Sequence, residues 1–371
     1  MPKIIHAGDI HLDAPFSLFD VQKAQVRKAE LRETFADLIA LAKTEKADIM
    51  ILSGDLFDSG FVTKETVSLI VSHFSSVPEC RFVITPGNHD FISPKSPYKQ
   101  ALFPPNVYIF DQEQITGIAF PELGVNVYGY AFTSEEYTAN PLETVPNLDK
   151  TKINILAAHA DLGGKSRYAP IALNDLAASG FDYAALGHIH NVPEIALAGR
   201  TTVAYCGFPE GRSFDEEGDG GVLSVTLEDG KTPEITKIIT STHKYITRHL
   251  DVTGAGSDSE VAARLCELAK SEGCDKSVSL KVYLEGSIPP EYAPNTSQIE
   301  LLASLPLCSL KLRDRTSPVF GSEYLASDMT IKGELYRTLL PRLSSADEGE
   351  RALAAEALRI GLLALDGRAF M

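Results

Sequence analysis

Cysteine is scarce in this sequence and does not occur in paired motifs. Five cysteines are scattered over 371 residues, and none belongs to a Cys-x-x-Cys pair. An odd, scattered set argues against a disulfide framework and against a zinc knuckle. It is typical of a protein in a reducing compartment. We therefore expect buried apolar thiols and a cytoplasmic location.

Long hydrophobic runs are also missing. No apolar run approaches the ~20 residues that a helix needs to span a bilayer. The opening Met1–Ile5 leads directly into a predicted strand and lacks the features of a signal peptide. We expect no membrane partner.

Positive charge is in deficit. Lysine and arginine number 34 against 50 aspartates and glutamates, which gives a formal net charge of −16. A protein that coats nucleic acid is disfavoured, because phosphate binding usually requires a basic surface. The deficit does not exclude a nucleic-acid enzyme, since metal-binding carboxylates add negative charge that divalent cations offset.

The apolar pattern predicts alternating strands and helices at the start of the chain. Strands are predicted at Ile4–Ala7, Ile49–Ser53 and Phe82–Thr85, and helices at Val21–Lys46 and Lys64–Phe74. This order predicts an α/β (α+β) fold in which helices pack on the faces of a sheet.

Three parts are predicted along the chain. We expect a first domain over residues 1–241, a small α/β capping domain over 242–335 and a C-terminal helical segment over 336–371. The segment contains a predicted amphipathic helix at Ala346–Leu365, with Leu353, Ala357, Ile360 and Ala364 on one stripe and Leu358, Leu362 and Leu365 beside it. That helix either packs on its own protein or docks a partner.

Five short segments place histidine, aspartate and asparagine at or just beyond the ends of predicted strands. They are Asp9-Ile10-His11, Gly54–Asp58, Gly87–Asp90, His159 and Gly187–His190. Imidazole nitrogen with carboxylate and amide oxygen, and no thiolate, suits Mn²⁺, Fe²⁺ or Zn²⁺. Two such ions about 3.5–4 Å apart stabilise both the attacking and the leaving oxygen at phosphorus. The set therefore predicts a two-metal phosphoesterase.

Spacing indicates how the segments could converge. Asp9 and His11 are two residues apart as a strand ends, so both side chains can point the same way, and the same holds for His188 and His190. Asp55 follows a glycine, which permits a close approach and makes it the natural bridge between two ions.

The order D-x-H, GDLFD, GNHD, H and GHIH resembles the calcineurin-like metallophosphoesterase superfamily. Within it, the chain is similar to the DNA-repair exonuclease branch, which is SbcD-like. The stretches 5–16 and 207–216 are most similar to bacterial YhaO-type members. The resemblance is strong over residues 1–241 and covers only the layout beyond them. It implies a metallophosphoesterase β-sandwich flanked by helices, followed by a capping domain and a C-terminal helix.

The resemblance also implies roles for individual residues. One ion would be held by Asp9, His11, Asp55 and His190, and the second by Asp55, Asn88, His159 and His188. His89, paired with Asp90, would be the catalytic histidine that contacts the scissile phosphate, while a metal-activated water attacks phosphorus in line. Mn²⁺ is the usual cation of the family, with Fe²⁺ or Zn²⁺ as alternatives. Asp58 is expected to orient the Asp55 loop.

The implied function is a DNA exonuclease or endonuclease in DNA repair. Its partners would be DNA and an SMC-like (SbcC-type) ATPase docked through the C-terminal helix. A homodimer through the regions 67–74 or 95–102 is also implied. Five basic residues lie near the motifs and either line a phosphate path or are solvated surface charges: Lys95, Lys99, Lys165, Arg167 and Arg212. The alternatives are a cyclic-nucleotide or other small-molecule phosphodiesterase on the same site, and a non-enzymatic scaffold.

Overall fold

The structure is a computed structural model that describes residues 1–58, 62–163, 166–190, 195–319 and 321–365. The chain divides into two compact units, Met1–Tyr245 and Ile246–Met371. The division into three parts at residues 241 and 335 stays a prediction.

The first unit contains most of the strands. They are β1 (Lys3–Ala7), β2 (Ile49–Leu52), β3 (Arg81–Ile84), β4 (Val107–Ile109), β5 (Thr116–Phe120), β6 (Val125–Gly129), β7 (Ile153–His159), β8 (Asp161–Leu162), β9 (Pro170–Ile171), β10 (Tyr183–Gly187), β11 (Ile195–Ala198), β12 (Thr201–Tyr205), β13 (Gly221–Thr226) and β14 (Glu234–Ile239). Its helices are α1 (Val21–Thr44), α2 (Lys64–Ser75), α3 (Pro97–Gln100) and α4 (Leu173–Ser179), with 3₁₀ turns at Pro121–Leu123 and Pro141–Thr144.

Two six-stranded sheets can be traced in the described part of this unit. The first has the order β14-β13-β1-β2-β3-β4, and the second has the order β11-β12-β10-β7-β6-β5. Strands β1 to β4 run parallel to one another, as do β6, β7, β10 and β12. The remaining pairings, at the sheet margins, are antiparallel.

The sheets pack face to face around a shared core. Along β7, Ile155 and Ala157 join the core formed by the first sheet and helices α1 and α2, whereas Leu156 and Ala158 join a second core on the opposite face. This alternation follows from the two-residue period of a strand whose two faces are both buried. The α/β prediction is confirmed, as a sheet sandwich flanked by helices.

The carboxyl ends of the central strands carry the five motif segments. Parallel strands bring their carboxyl ends to one edge of a sheet, and the turns after β1, β2 and β3 meet there. The two sheets are joined at this point, where the Ser53 hydroxyl donates to the Ala185 carbonyl at 3.0 Å and His159 Nδ1 lies 3.0 Å from the Ser53 carbonyl oxygen.

The second unit is smaller. Its elements are β15 (Lys244–Asp251), which enters it from the first unit, β16 (Val278–Glu285), β17 (Ser287–Ile288), β18 (Ser309–Asp314), β19 (Ser317–Pro318), α5 (Asp258–Ser271), α6 (Thr296–Ala303), α7 (Ser322–Ser327), α8 (Ile331–Leu343) and α9 (Glu348–Leu365). A sheet of order β15-β16-β18 packs with α5 and α6 around one apolar core.

Helix α9 is present where an amphipathic helix was predicted, and it buries Leu362 and part of Leu358, which were predicted beside the Leu353 stripe. Leu362 packs with Leu325 and Tyr336 of this unit, and Leu358 packs against the same cluster. Leu353, on the predicted stripe, is 71% exposed. The pairing with helix α8, which the sequence interpretation did not foresee, selects the buried face.

Candidate metal centre

The turns that carry the motif residues have unusual backbone geometry. Asp9, His11, Asp55 and His188 have φ values of +52°, +50°, +51° and +100°. A non-glycine residue in this left-handed region is uncommon, and such residues cluster at functional sites. The sequence predicted that strand alternation would align Asp9 and His11, but strand β1 ends at Ala7. The turn after the strand brings the two side chains together instead.

Two glycines make the close packing of these turns possible. Gly54 has φ +88°, and a Cβ there would lie 2.2 Å from His159 Nδ1. A Cβ on Gly87 would lie 2.3 Å from Asp55 Oδ1. Only a residue without a side chain fits at these positions.

One group of candidate ligands consists of Asp9, His11 and His190, whose ligand atoms lie within 4.8 Å of one another. His190 Nε2 is 3.3 Å from Asp9 Oδ1, and the His11 and His190 ring centroids are 5.3 Å apart. The structure therefore places these three predicted ligands around one point.

A second group consists of Asp9, Asp55 and His159. His159 Nε2 lies 2.9 Å from the Asn88 side-chain oxygen, and the His188 ring centroid is 5.0 Å from that of His159. Asn88 and His188 thus lie beside His159, as the predicted second ligand set requires.

Asp55 links the two groups. Its Oδ2 lies 3.4 Å from His11 Nε2 and 3.4 Å from His159 Nε2. Its Oδ1 accepts a hydrogen bond from the His89 backbone N–H at 2.9 Å. One carboxylate oxygen therefore lies between imidazoles of both groups, which is the position of a bridging ligand. The assignment of individual ligand roles stays a prediction.

His89 is next to Asp58, and not to Asp90 as expected. His89 Nδ1 lies 3.8 Å from Asp58 Oδ1, and the His89 side chain is 47% exposed. The Asp58 carboxylate raises the pKa of His89, against the opposite effect of partial burial. His89 also forms a third ligand-type group with His11 and Asp58.

Asp90 is buried behind the site. Its carboxylate accepts hydrogen bonds from the backbone N–H groups of Gly87, Leu56 and Phe57 at 2.7, 2.8 and 3.2 Å, and from the Tyr98 hydroxyl at 2.5 Å. Since these groups hold both carboxylate oxygens, Asp90 ties the Asp55 loop to the Asn88 loop. A direct catalytic role for Asp90 stays a prediction.

The electrostatics of the site favour cations. Burial by itself would raise the pKa of Asp55, but the His159 imidazole helps to hold it well below its usual range. Against the lowering effect of burial, the carboxylates of Asp9 and Glu216 raise the pKa of His190 to about 10. Protonated imidazoles compensate the buried carboxylates here, and divalent cations would compensate the same charge.

His11 tests whether a metal ion fits these residues. Both of its ring nitrogens are buried, and neither has a hydrogen-bond partner among the residues that the structure describes. Burial holds the pKa of His11 well below its usual range, so the ring is neutral and one nitrogen carries a lone pair. A buried polar atom without a partner costs free energy. Coordination of a divalent ion would satisfy it, so the donor set fits a metal.

Glu216 belongs to the site but was not predicted, and Arg212 was predicted only as a basic residue that could line a phosphate path. Glu216 Oε1 lies 2.8 Å from His190 Nδ1, and Glu216 is 3% exposed. The Arg212 backbone N–H donates a hydrogen bond to Glu216 Oε2 at 2.7 Å, and Arg212 Nε donates one to Glu216 Oε1 at 3.0 Å. The only sequence signal was their presence in the 207–216 stretch that carried the resemblance.

Two of the other basic residues near the motifs, Lys99 and Arg167, have acidic partners. Lys99 Nζ is 2.7 Å from Asp111 Oδ2, and Arg167 forms an ion pair with Glu136. Lys165 lies outside the described residues. These ion pairs leave the prediction of a phosphate path without support from Lys99 or Arg167.

A family model supports the same interpretation of the site. The model described as calcineurin-like phosphoesterase matches residues 2–192, which is more than half of the chain. The chain therefore belongs to the calcineurin-like phosphoesterase family, whose members use divalent metal ions. The family is described as one of phosphoesterases.

Two curated relatives extend the comparison. An uncharacterized metallophosphoesterase, YhaO of Bacillus subtilis, is 29% identical over 238 residues, which cover 61% of this chain and 57% of that protein. The DNA double-strand break repair protein Mre11 of Aeropyrum pernix is 24% identical over 279 residues, which cover 69% of this chain and 65% of that protein. The chain thus spans about six tenths of the length of these relatives.

Among solved structures, the protein TT1561 of Thermus thermophilus is 14% identical. The alignment covers 64% of this chain and 99% of that protein, with a TM-score of 0.41. Separately, no helix in the described part of the chain has the length and apolar character needed to cross a membrane.

Proposed function

We propose that the protein is a two-metal phosphodiesterase that cleaves DNA. The observation that carries the proposal is the position of Asp55 Oδ2, 3.4 Å from an imidazole nitrogen of each ligand group. Asp9, His11, Asp55 and His190 would hold one ion, and Asp55, Asn88, His159 and His188 the other.

When bound, two divalent ions would supply Lewis acidity and lower the pKa of water so that a nucleophile forms at neutral pH. The chain's own residues then position the substrate and move the proton. His89 is half exposed beside Asp58, which favours its protonated form, so it can donate a proton to the leaving oxygen. Asp90 holds the loops that carry these residues at a fixed separation.

DNA as the substrate is supported by the name and similarity of the archaeal relative. Partnership with an SMC-like ATPase belongs to the same proposal, and Mn²⁺ is the cation we expect. The C-terminal helix α9 is the segment that would dock the ATPase, through the exposed stripe that includes Leu353 and Ile360. Proteins with such stripes often bury them against a partner helix.

One observation favours a small diester as a second candidate substrate. Carboxylates of Asp58, Glu135 and Glu136 line the cavity beside His89, and the net charge of the chain is −16. Acidic side chains repel a long polyphosphate chain more than a substrate with one phosphate. A cyclic-nucleotide or other small phosphodiester is therefore the alternative.

A comparison of two substrates tests the proposal. Wild type, His89→Ala and His249→Ala are assayed with Mn²⁺ on bis-p-nitrophenyl phosphate and on linear duplex DNA. We expect Mn²⁺-dependent cleavage of both by the wild type and a loss of roughly 10²–10⁴-fold in His89→Ala, the size of a general-acid contribution. His249, 56% exposed in the second unit, is the matched control and should behave as wild type.

The outcomes separate the candidates. Hydrolysis of the small diester without DNA cleavage, alone or with an ATPase partner, would contradict the nuclease and favour the alternative. No hydrolysis of either substrate in Mn²⁺ would contradict the proposed function itself.

A further inference from the structure

A cavity of about 470 Å³ opens next to His89, and Asn88 is the one lining residue that belongs to the proposed ligand sets. Asp58, Asn88 and His89 form one side of it, so a phosphate bound at the metal centre would lie at its edge. Its volume lies in the range of sites that bind small organic groups, roughly 300–1,000 Å³. The cavity is therefore large enough for the part of a substrate that is attached to the phosphate.

Two aromatic side chains, Phe91 and Tyr168, line this cavity. Both are partly buried against the core on the outer face of the second sheet. The Tyr168 ring also contacts the His188 ring, with centroids 4.8 Å apart. Aromatic rings that are fixed from behind and face a cavity are ready to stack on a flat ligand without a large loss of side-chain entropy.

The remaining lining residues are acidic. Glu135 and Glu136 line the cavity together with Asp58, and Glu136 also pairs with Arg167. Carboxylates accept hydrogen bonds from N–H groups and repel further phosphates. Each nucleobase carries N–H donors on its edge and presents an aromatic face, whereas a continuing sugar–phosphate chain offers neither.

We propose that this cavity, bounded by Phe91, Tyr168 and Glu135, is a subsite for one nucleobase of the nucleotide whose phosphate is cleaved. The proposal rests on the proposed function, because it takes the phosphate to be bound at the metal centre. It adds that the enzyme recognises a nucleotide through its base, with stacking as the main contribution. It also accounts for an acidic protein that acts on nucleic acid, since a single terminal nucleotide brings few phosphates to the site.

Binding of two ligands with the same phosphate tests the subsite. Isothermal titration in Mn²⁺ compares deoxyadenosine 5′-monophosphate with 2-deoxyribose 5-phosphate, which lacks the base. We expect the wild type to bind the nucleotide about tenfold or more tightly, because stacking contributes roughly 1–3 kcal/mol per base. Tyr168→Phe should keep this preference, and Tyr168→Ala should lose most of it. Tyr324→Ala, which removes an exposed tyrosine of the second unit, is the control and should keep it.

The test uses the ratio of the two affinities because a variant can also disturb the metal centre. Tyr168 packs on His188, so Tyr168→Ala can weaken the binding of both ligands. A lost phosphate contact weakens both equally and leaves the ratio unchanged. Equal binding of both ligands by the wild type would overturn the subsite and leave the proposed function standing. A preference that survives in Tyr168→Ala would also overturn it. Failure of the wild type to bind either ligand would contradict the proposed phosphoesterase site and this inference with it.

Discussion

At the scale of single residues, His190, the second histidine of the GHIH segment, has a carboxylate beside each ring nitrogen. Asp9 Oδ1 lies 3.3 Å from His190 Nε2, and Glu216 Oε1 lies 2.8 Å from His190 Nδ1. Arg212 holds Glu216 from its backbone and side chain, and it keeps the pKa of this buried carboxyl at about 2 although burial would raise it. Metal-binding histidines commonly have such a carboxylate behind them, which fixes ring orientation and raises basicity.

We expect Glu216→Gln to weaken Mn²⁺ binding by about 10- to 100-fold, because the charge behind His190 is lost while the size of the side chain is kept. Isothermal titration with Mn²⁺ measures the affinity, and circular dichroism checks the fold. Glu228→Gln, at a glutamate that pairs with Lys231 on the surface, is the matched control. Unchanged Mn²⁺ affinity in Glu216→Gln would show that this carboxylate does not support the ligand.

These residue contacts mark the limit of sequence interpretation. The predicted ligands could be found because each lies at or just beyond the end of an apolar run, and such runs can be recognised in a sequence. Glu216 is 26 positions from His190 in the chain and follows no strand, so only the folded turn reveals the contact. The pairing of His89 with Asp58 was missed for a related reason, since Asp90 is its neighbour in sequence but turns towards backbone N–H groups.

At the scale of elements, a buried ion pair joins helix α1 to the loop at 207–216. Arg27, 1% exposed, donates to the Gly211 carbonyl at 2.7 Å, and its Nη2 lies 3.2 Å from Glu210 Oε1. Glu210 also accepts hydrogen bonds from the Thr242 and His243 backbone N–H groups at 2.8 and 3.0 Å. The loop that carries Arg212 and Glu216 is therefore fixed to the core of the first unit.

Removing one member of this pair should be costly. Arg27→Met is expected to lower the free energy of unfolding by about 3–5 kcal/mol, because it leaves the Glu210 carboxylate buried without its charge partner. Urea unfolding followed by circular dichroism measures the change. Arg200→Met, at an exposed pair with Asp182, should cost less than about 1 kcal/mol. A small effect of Arg27→Met, similar to that of Arg200→Met, would contradict a structural role for the pair.

Elements were predicted best where both faces are buried. The predominantly apolar runs that became β2 and β3 were predicted to within one residue at each end. Strands β5, β11 and β14 were missed, because they lie at sheet edges and expose about half of their residues, which weakens the apolar signal. Helix α8, which overlaps the start of the predicted helical segment 336–371, was not predicted as a separate element.

At the scale of the whole molecule, acidity and function are compatible. The chain carries a net charge of −16, and its predicted ligand set includes Asp9 and Asp55 at the sheet edge. Bound cations would convert this edge into the place where an anionic phosphate is attracted. The composition alone argued against a protein that coats DNA, but composition does not show where the negative charge lies. Because carboxylates are placed at the sheet edge, where they can bind cations, the acidic composition is compatible with a phosphoesterase.

The central claim is that two divalent ions are bound on either side of Asp55. Anomalous scattering from crystals soaked in Mn²⁺ tests it most directly. We predict two peaks roughly 3.5–4 Å apart, one among Asp9, His11 and His190 and the other beside His159, with the Asp55 carboxylate between them. A single peak, or peaks away from Asp55, would contradict the account.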